Sequence, residues 1–226
     1  MRRRSWVWAL LLLVLCVATV ATVLGSLVKQ EPEFYTRAAV AAPTPEDPVR
    51  AGELQTRVSE LRKIVFTEPE WGATFTQDEL NAFFREDPGT NNLMESRLGG
   101  LSAPRVLMEG DRIHLAARYG SGFWSSVVSI ELRAWVVAGD DPNLFGLELV
   151  SLKSGVLPLS KRWVTDLFTD LLTADNFASV TWFRNGDRPV AICKWMPNQS
   201  RPSTLLQTIT VSDGRIEIGG MNLPNR

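Results

Sequence analysis

The chain has 226 residues, 45% of them hydrophobic and 22% charged, which is enough apolar material to bury a core and excludes a disordered chain. Its net charge is -1, and setting aside Arg2, Arg3 and Arg4 leaves -4 on the remainder, which excludes the basic excess that a nucleic-acid-binding domain uses to displace counterions. The two cysteines, Cys16 and Cys193, stand in segments that cannot meet in one domain, so no internal disulfide is expected.

The first 28 residues organise the rest. After the three arginines, Ser5 to Val28 is an uncharged apolar run, long enough as a helix to cross the roughly 30 Å hydrocarbon core of a bilayer. It is longer than the core of a signal peptide and ends in Leu27-Val28-Lys29 with no small-x-small site, so it reads as a retained single-pass anchor. The positive-inside rule keeps the arginines in the cytoplasm and sends the rest of the chain to the extracytoplasmic side. Leu15 precedes Cys16 where a lipoprotein signal would carry a small residue, so Cys16 reads as an apolar side chain in the membrane.

Residues 29–46 carry Pro32, Pro43 and Pro45 and no apolar period, and read as a Pro/Ala-rich linker between the anchor (residues 1–28) and an exported domain (residues 47–226). Phe34 and Tyr35 within it fit an aromatic belt at the membrane surface, or a contact with the domain. Asp47-Pro48 has the form of an N-cap followed by proline at the first helical position, opening a helix to about Phe66. Leu54, Val58, Leu61 and Val65 form a narrow stripe on it, which packs on its own domain or pairs with a second copy in a homodimer.

Phe75 to Phe84 holds a capping box, Thr76 with Glu79, and a hydrophobic staple, Phe75 with Leu80, so a short helix starts at Gln77 and stops at Asp87-Pro88-Gly89. Asp78 and Glu79 then belong to the first turn, facing the helix dipole, and are not a catalytic pair. Beyond Gly99-Gly100 the apolar period changes from 3.6 to 2. Val106 to Tyr119 reads as a hairpin about Gly110-Asp111, with Ile113, Leu115, Ala117 and Tyr119 on an apolar face and Arg112, His114, Ala116 and Arg118 on a wet one. Val127 to Val137 and Leu144 to Leu152, joined through Gly139 to Asn143, continue an antiparallel meander.

Ser160 caps a second amphipathic helix to Leu172, whose apolar side should cover the sheet. Hairpins follow at Ala178 to Trp195, through Asn185-Gly186-Asp187, and at Leu205 to Ile218, through Asp213-Gly214. The expected class is α+β: a transmembrane helix, then an antiparallel sheet of meander and hairpins covered by amphipathic helices.

The anchor, the Phe-Thr-x-x-Glu-Leu-Asn stretch at Phe75 to Asn81, the meander and the Gly-x-Leu-Pro-Leu stretch at Gly155 to Leu159 together resemble YpmS-like, membrane-anchored bacterial proteins of unestablished function. The resemblance covers about residues 75 to 172. It implies export and an α+β domain, and supplies no catalytic residue.

The familiar catalytic sets are not found in the sequence. His114 is the only histidine, on the wet face of a strand, so a Ser-His-Asp or Cys-His arrangement has no second candidate, and zinc sites and EF-hand spacing are lacking. Gly120-Ser121-Gly122 is followed by Ser125 and a strand where a dinucleotide loop needs glycine and a helix. The sequon-like Asn198-Gln199-Ser200 carries no weight. Six tryptophans follow the anchor, Trp71, Trp124, Trp135, Trp163, Trp182 and Trp195. They serve packing, or else Trp163, Phe168, Trp182 and Trp195 line an apolar groove for a lipid, with Lys161, Arg162, Arg184 and Lys194 near its head group. The leading expectation is a membrane-anchored envelope protein, not an enzyme and without a cofactor, whose exported domain is a scaffold or interaction module. Binding of a lipid or other apolar ligand is the alternative, and a hydrolase working with carboxylates alone, which needs two acids about 5 to 10 Å apart in a cleft, comes third.

Overall fold

A computed structural model of the chain describes residues 2–40, 44–86, 100–122, 125–139, 143–173, 178–196 and 203–223. Asp87-Pro88-Gly89, Gly99, Trp124, Asp140 to Pro142 and Asn198 to Ser200 lie outside the described residues, as does the side chain of Trp163. Helices α1 (Arg2–Val28), α2 (Glu33–Val40) and α3 (Asp47–Thr67) lead into strand β1 (Glu70–Thr76) and helix α4 (Gln77–Glu86). Strands β2 (Leu101–Glu109), β3 (Arg112–Tyr119), β4 (Ser126–Val136), β5 (Leu144–Ser154) and the short β6 (Leu157–Pro158) follow. Helix α5 (Lys161–Thr173) precedes β7 (Ala178–Asn185), β8 (Arg188–Trp195), β9 (Thr204–Ser212) and β10 (Arg215–Asn222). The class is α+β with antiparallel pairing throughout.

The strands form two sheets and not one meander. β1, β10 and β9 make a three-stranded sheet in that order, and the other seven make a sheet ordered β2-β3-β4-β5-β8-β7, with β6 on β5. The sequence reading assigns no strand before α4, yet Trp71, Ala73 and Phe75 alternate with Glu70, Gly72, Thr74 and Thr76, and this segment pairs as β1 with β10 from Glu70↔Met221 to Thr76↔Arg215. Two buried asparagines hold neighbouring elements together by imitating backbone. Asn81 donates its Nδ2 to the Val106 carbonyl at 2.8 Å and accepts the Val106 amide at 2.9 Å, fixing α4 on β2. Asn143 donates to the Thr204 carbonyl and accepts the Leu206 amide, both at 2.8 Å, fixing β9 at the β4–β5 turn.

Registers Ile113↔Leu132, Leu115↔Ile130 and Ala117↔Val128 between β3 and β4, continued by Leu132↔Leu149 and Ile130↔Leu152 on β5, place one apolar face. Val164 and Phe168 of α5 pack on it, as the helical period predicts. Leu80 and Phe84 of α4 join Val106, Met108, Val211 and Ile216 in the adjoining core.

The other face of β3 is not uniformly wet. Ala116 and Val127 are buried beneath Tyr35, because α2 lies across them. The capping box forms as expected: the Thr76 hydroxyl accepts the Glu79 amide at 3.2 Å and Glu79 accepts the Thr76 amide at 2.8 Å. The expected Asp47 N-cap is displaced by one residue. Glu46 occupies the N-cap without a side-chain bond, while buried Asp47 accepts both the amide and the hydroxyl of Thr44 and pairs with Arg85. Leu54 and Val65 are buried within their own chain, so of the proposed dimer stripe only Val58 and Leu61 remain partly accessible to a second copy.

Candidate functional site

The junction between α1 and the sheet is the first unusual feature. The side chains Leu12, Leu13, Val14, Leu15, Val17, Val20, Val23 and Leu24 are 47–64% exposed, so none of them is covered by the rest of the chain. Among the described residues no helix is long and apolar enough to cross a membrane; described side chains begin at Leu12, inside the uncharged run that starts at Ser5.

The C-terminal end of α1 is locked onto the domain. The Val156 amide donates to the Leu27 carbonyl at 3.1 Å, and the Gly155 amide donates to the Val127 carbonyl of β4 at 2.9 Å. Gly155 has φ +59°, and a Cβ there would lie under 3.0 Å from the carbonyl oxygens of both Leu27 and Val28. Only glycine lets the β5–β6 turn approach the helix end this closely.

The following residues are bound as well. Glu31 pairs with Arg118 at 2.6 Å, raising the guanidinium further above its ordinary range. The Tyr35 hydroxyl, 3.2 Å from the Ala103 carbonyl and pushed up by burial, lies in a side chain only 1% exposed. The expected linker is therefore not a loose stalk over residues 31–40: a helix, an ion pair and a buried tyrosine fix it to the sheet.

Beside α5 lies a cleft of about 830 Å³, where Lys161, Arg162 and Arg184 surround Trp182 and Phe183. Three of the four cations expected from the sequence meet here, and Lys161 is held by Asp187 at 3.8 Å. Of the four aromatic residues, the three whose side chains are described do not line one groove. Trp182 lines this cleft and donates its indole N–H to the Thr169 hydroxyl at 2.7 Å. Phe168 is packed in the core with Val164, and Trp195 rests on Trp71 with ring centres 5.5 Å apart. Register explains the separation: Trp195 pairs with Ala178, four residues or about 13 Å along β7 from Trp182.

A second cleft, of about 610 Å³, is lined by Asp111, Arg133, Trp135, Glu148, Phe183 and Val190 among others. Glu148 is 4% exposed, with Arg133 and Arg188 each 3.6 Å from its carboxylate and, among the described residues, no hydrogen-bond partner for Oε1. Arg133 also holds Asp111 at 2.5 Å. Next to them Arg112 pairs with Glu131; burial pushes that carboxyl up, but the bond and charge of Arg112 together with the Ser151 hydroxyl outweigh it and the net direction is down. Sequence reasoning does not single out Glu148. The one signal for it is a carboxylate between Leu147 and Leu149 in the otherwise apolar stretch Leu144 to Val150.

Two acids therefore do meet in a cleft, but both lean on the Arg133 guanidinium. A glycosidase needs its two carboxyls in contrasting environments, so that one keeps its proton while the other stays charged. His114 stacks obliquely near Phe34, ring centres 6.0 Å apart. The Cys193 thiol is fully buried and pushed up to about 11 by that burial, which suits packing and not nucleophilic attack. Among the described residues no three His, Cys, Asp or Glu side chains gather as a metal site. Comparison of the chain with family models, with curated proteins and with solved structures finds no match.

Proposed function

We propose that the chain is a single-pass, membrane-anchored envelope protein with a cytoplasmic N-terminus, whose extracytoplasmic α+β domain is a non-enzymatic scaffold or interaction module. The observation that carries this reading is the uncovered apolar surface of α1 from Leu12 to Leu24, continuous in sequence with the uncharged run from Ser5. A helix left that bare in water exposes more apolar surface than an isolated soluble domain tolerates, and hydrocarbon covers it. Read over all 24 residues from Ser5 to Val28, the helix is about 36 Å long at about 1.5 Å per residue.

Carbonate extraction of the full chain, combined with C-terminal alkaline phosphatase and fluorescent-protein fusions in a bacterial host, tests it. Retention in the pellet with an active phosphatase and a dark fluorescent fusion is expected. Release into the supernatant, or the opposite fusion pattern, refutes the anchor or its orientation.

A second reading, binding of an anionic lipid, is favoured by Lys161, Arg162 and Arg184 around Trp182 and Phe183. Native mass spectrometry of the detergent-extracted chain tests that reading. A lipid-sized adduct lost on Trp182→Ala supports it, and a clean apo mass before delipidation removes it.

A further inference from the structure

We infer that the end of the domain where α1 leaves it is seated in the headgroup layer of the bilayer, with Tyr119 and Val156 at the acyl boundary and Leu159 just behind them. The inference rests on α1 being the anchor. Among the described residues, seven large apolar side chains outside α1 are markedly exposed: Val49, Phe66, Tyr119, Val156, Leu159, Phe183 and Leu223. Two of the seven, Tyr119 and Val156, lie at this one end, and Leu159, whose amide donates to the Leu152 carbonyl, stands three residues or about 10 Å behind it along β5.

The sheet register places them. Tyr119 pairs with Ser126 at the start of β4, and the neighbouring Val127 carbonyl accepts the Gly155 amide, so Tyr119 and the β5–β6 turn share one rim of the sheet. Val156 is bonded through its amide to Leu27, so its side chain, 46% exposed, stands at the level where α1 ends. Leu159 follows at 38%, and then the chain turns basic with Lys161 and Arg162. Apolar residues at the helix exit with cations just beyond them match the order of acyl chain and phosphate in a bilayer interface. The occupant is lipid and not a second protein, because this rim is continuous with the lipid-facing surface of α1. Gly155, Glu31 and Tyr35 fix the junction, so the rim and the helix hold one level.

The test uses the full chain carrying Cys16→Ala, with single cysteines introduced as Val156→Cys, Leu159→Cys or Asp213→Cys. Asp213 is at the opposite rim, where it accepts the Gly110 amide at 2.6 Å. Buried Cys193 takes no label in the folded chain, which the Cys16→Ala parent verifies, and thermal unfolding of each variant matching the parent establishes folding. Each is spin-labelled and reconstituted in vesicles of phosphatidylcholine and phosphatidylglycerol, and relaxation by oxygen is compared with relaxation by a water-soluble nickel chelate. Labels at Val156 and Leu159 should show an oxygen-to-nickel ratio several-fold above that at Asp213.

Equal ratios at all three sites in membrane-retained protein overturn the seating and leave the anchor standing. Loss of access to both reagents at Val156 and Leu159 overturns it in favour of a protein contact. A chain that does not stay with the vesicles overturns the anchor reading itself, and the seating with it.

Discussion

Replacing Gly155 by alanine separates the contact at the helix exit from the ordinary cost of a left-handed alanine. Gly186, with φ +64° and open space for 4 Å around the position a Cβ would take, is the matched control for Gly155 at φ +59°. Alanine at either position costs about 1–2 kcal/mol for the backbone conformation alone. At 155 the new methyl group would also sit under 3.0 Å from two backbone oxygens of α1, which cannot swing aside as side chains do. The helix end must lift off, and the 3.1 Å bond from the Val156 amide to Leu27 is lost. That bond and the packing around it contribute about 1–3 kcal/mol, equivalent to roughly 5- to 150-fold in a local opening equilibrium. Hydrogen exchange at the Val156 amide of the full chain in micelles reads this directly. Gly155→Ala should accelerate exchange there by that factor, while Gly186→Ala leaves it near the parent rate. Equal exchange at Val156 in the two variants would refute the close junction.

Asn81→Ala removes both partners of the buried Val106 amide and carbonyl, and should lower stability by about 2–4 kcal/mol in urea unfolding of the full chain. A loss under about 0.5 kcal/mol would mean that water replaces the clamp. Leu54→Asp should destabilise by roughly 3 kcal/mol or more, because Leu54 is buried in its own domain, whereas Leu61→Asp should leave stability nearly unchanged; sedimentation of the two variants reads the dimer seam independently. Asp47 is held below the usual carboxylate range by the Thr44 amide, and Glu79 and Glu131 are held below it because hydrogen bonds and arginines outweigh burial. Each contributes stability that is complete above about pH 4.5 and is lost as pH falls through its lower folded-state value, so the denaturation midpoint should drop on acidification below that point. A midpoint that stays flat from about pH 5 down to about pH 3 would refute this. Cys193, buried and pushed up to about 11, should not react with a thiol reagent at about pH 8 until the chain unfolds.

Local chemistry is readable from the sequence where it is self-contained. The Thr76–Glu79 box, the Asn185-Gly186 and Asp213-Gly214 turns and the Val164–Phe168 face of α5 each follow from residues a few positions apart. What escapes depends on partners distant in the chain. The β1 alternation runs over only seven residues and its partner β10 lies at the far end of the chain, and the separation of Trp182 from Trp195 is set by the β7–β8 register. Tyr35 reads as an interfacial aromatic until Ala116 and Val127 are known to lie beneath it. Residues 29–46 carry proline and lack an apolar period, yet one glycine at position 155 decides how closely their beginning meets the sheet.

That glycine also sets the mechanics of the molecule. A free linker of 18 residues, the length from 29 to 46, would let the domain wander through a root-mean-square reach of about 23 Å. Locked at the helix exit, the domain has no such search volume. Arg133 lies seven residues beyond Ser126 along β4, at most about 23 Å from the helix-exit rim, so with α1 as the proposed anchor its cleft would stay in a plane of fixed height. The contacts at Gly155, Glu31 and Tyr35 couple rotation or tilt of α1 to the sheet and so to the Arg133–Glu148 cleft.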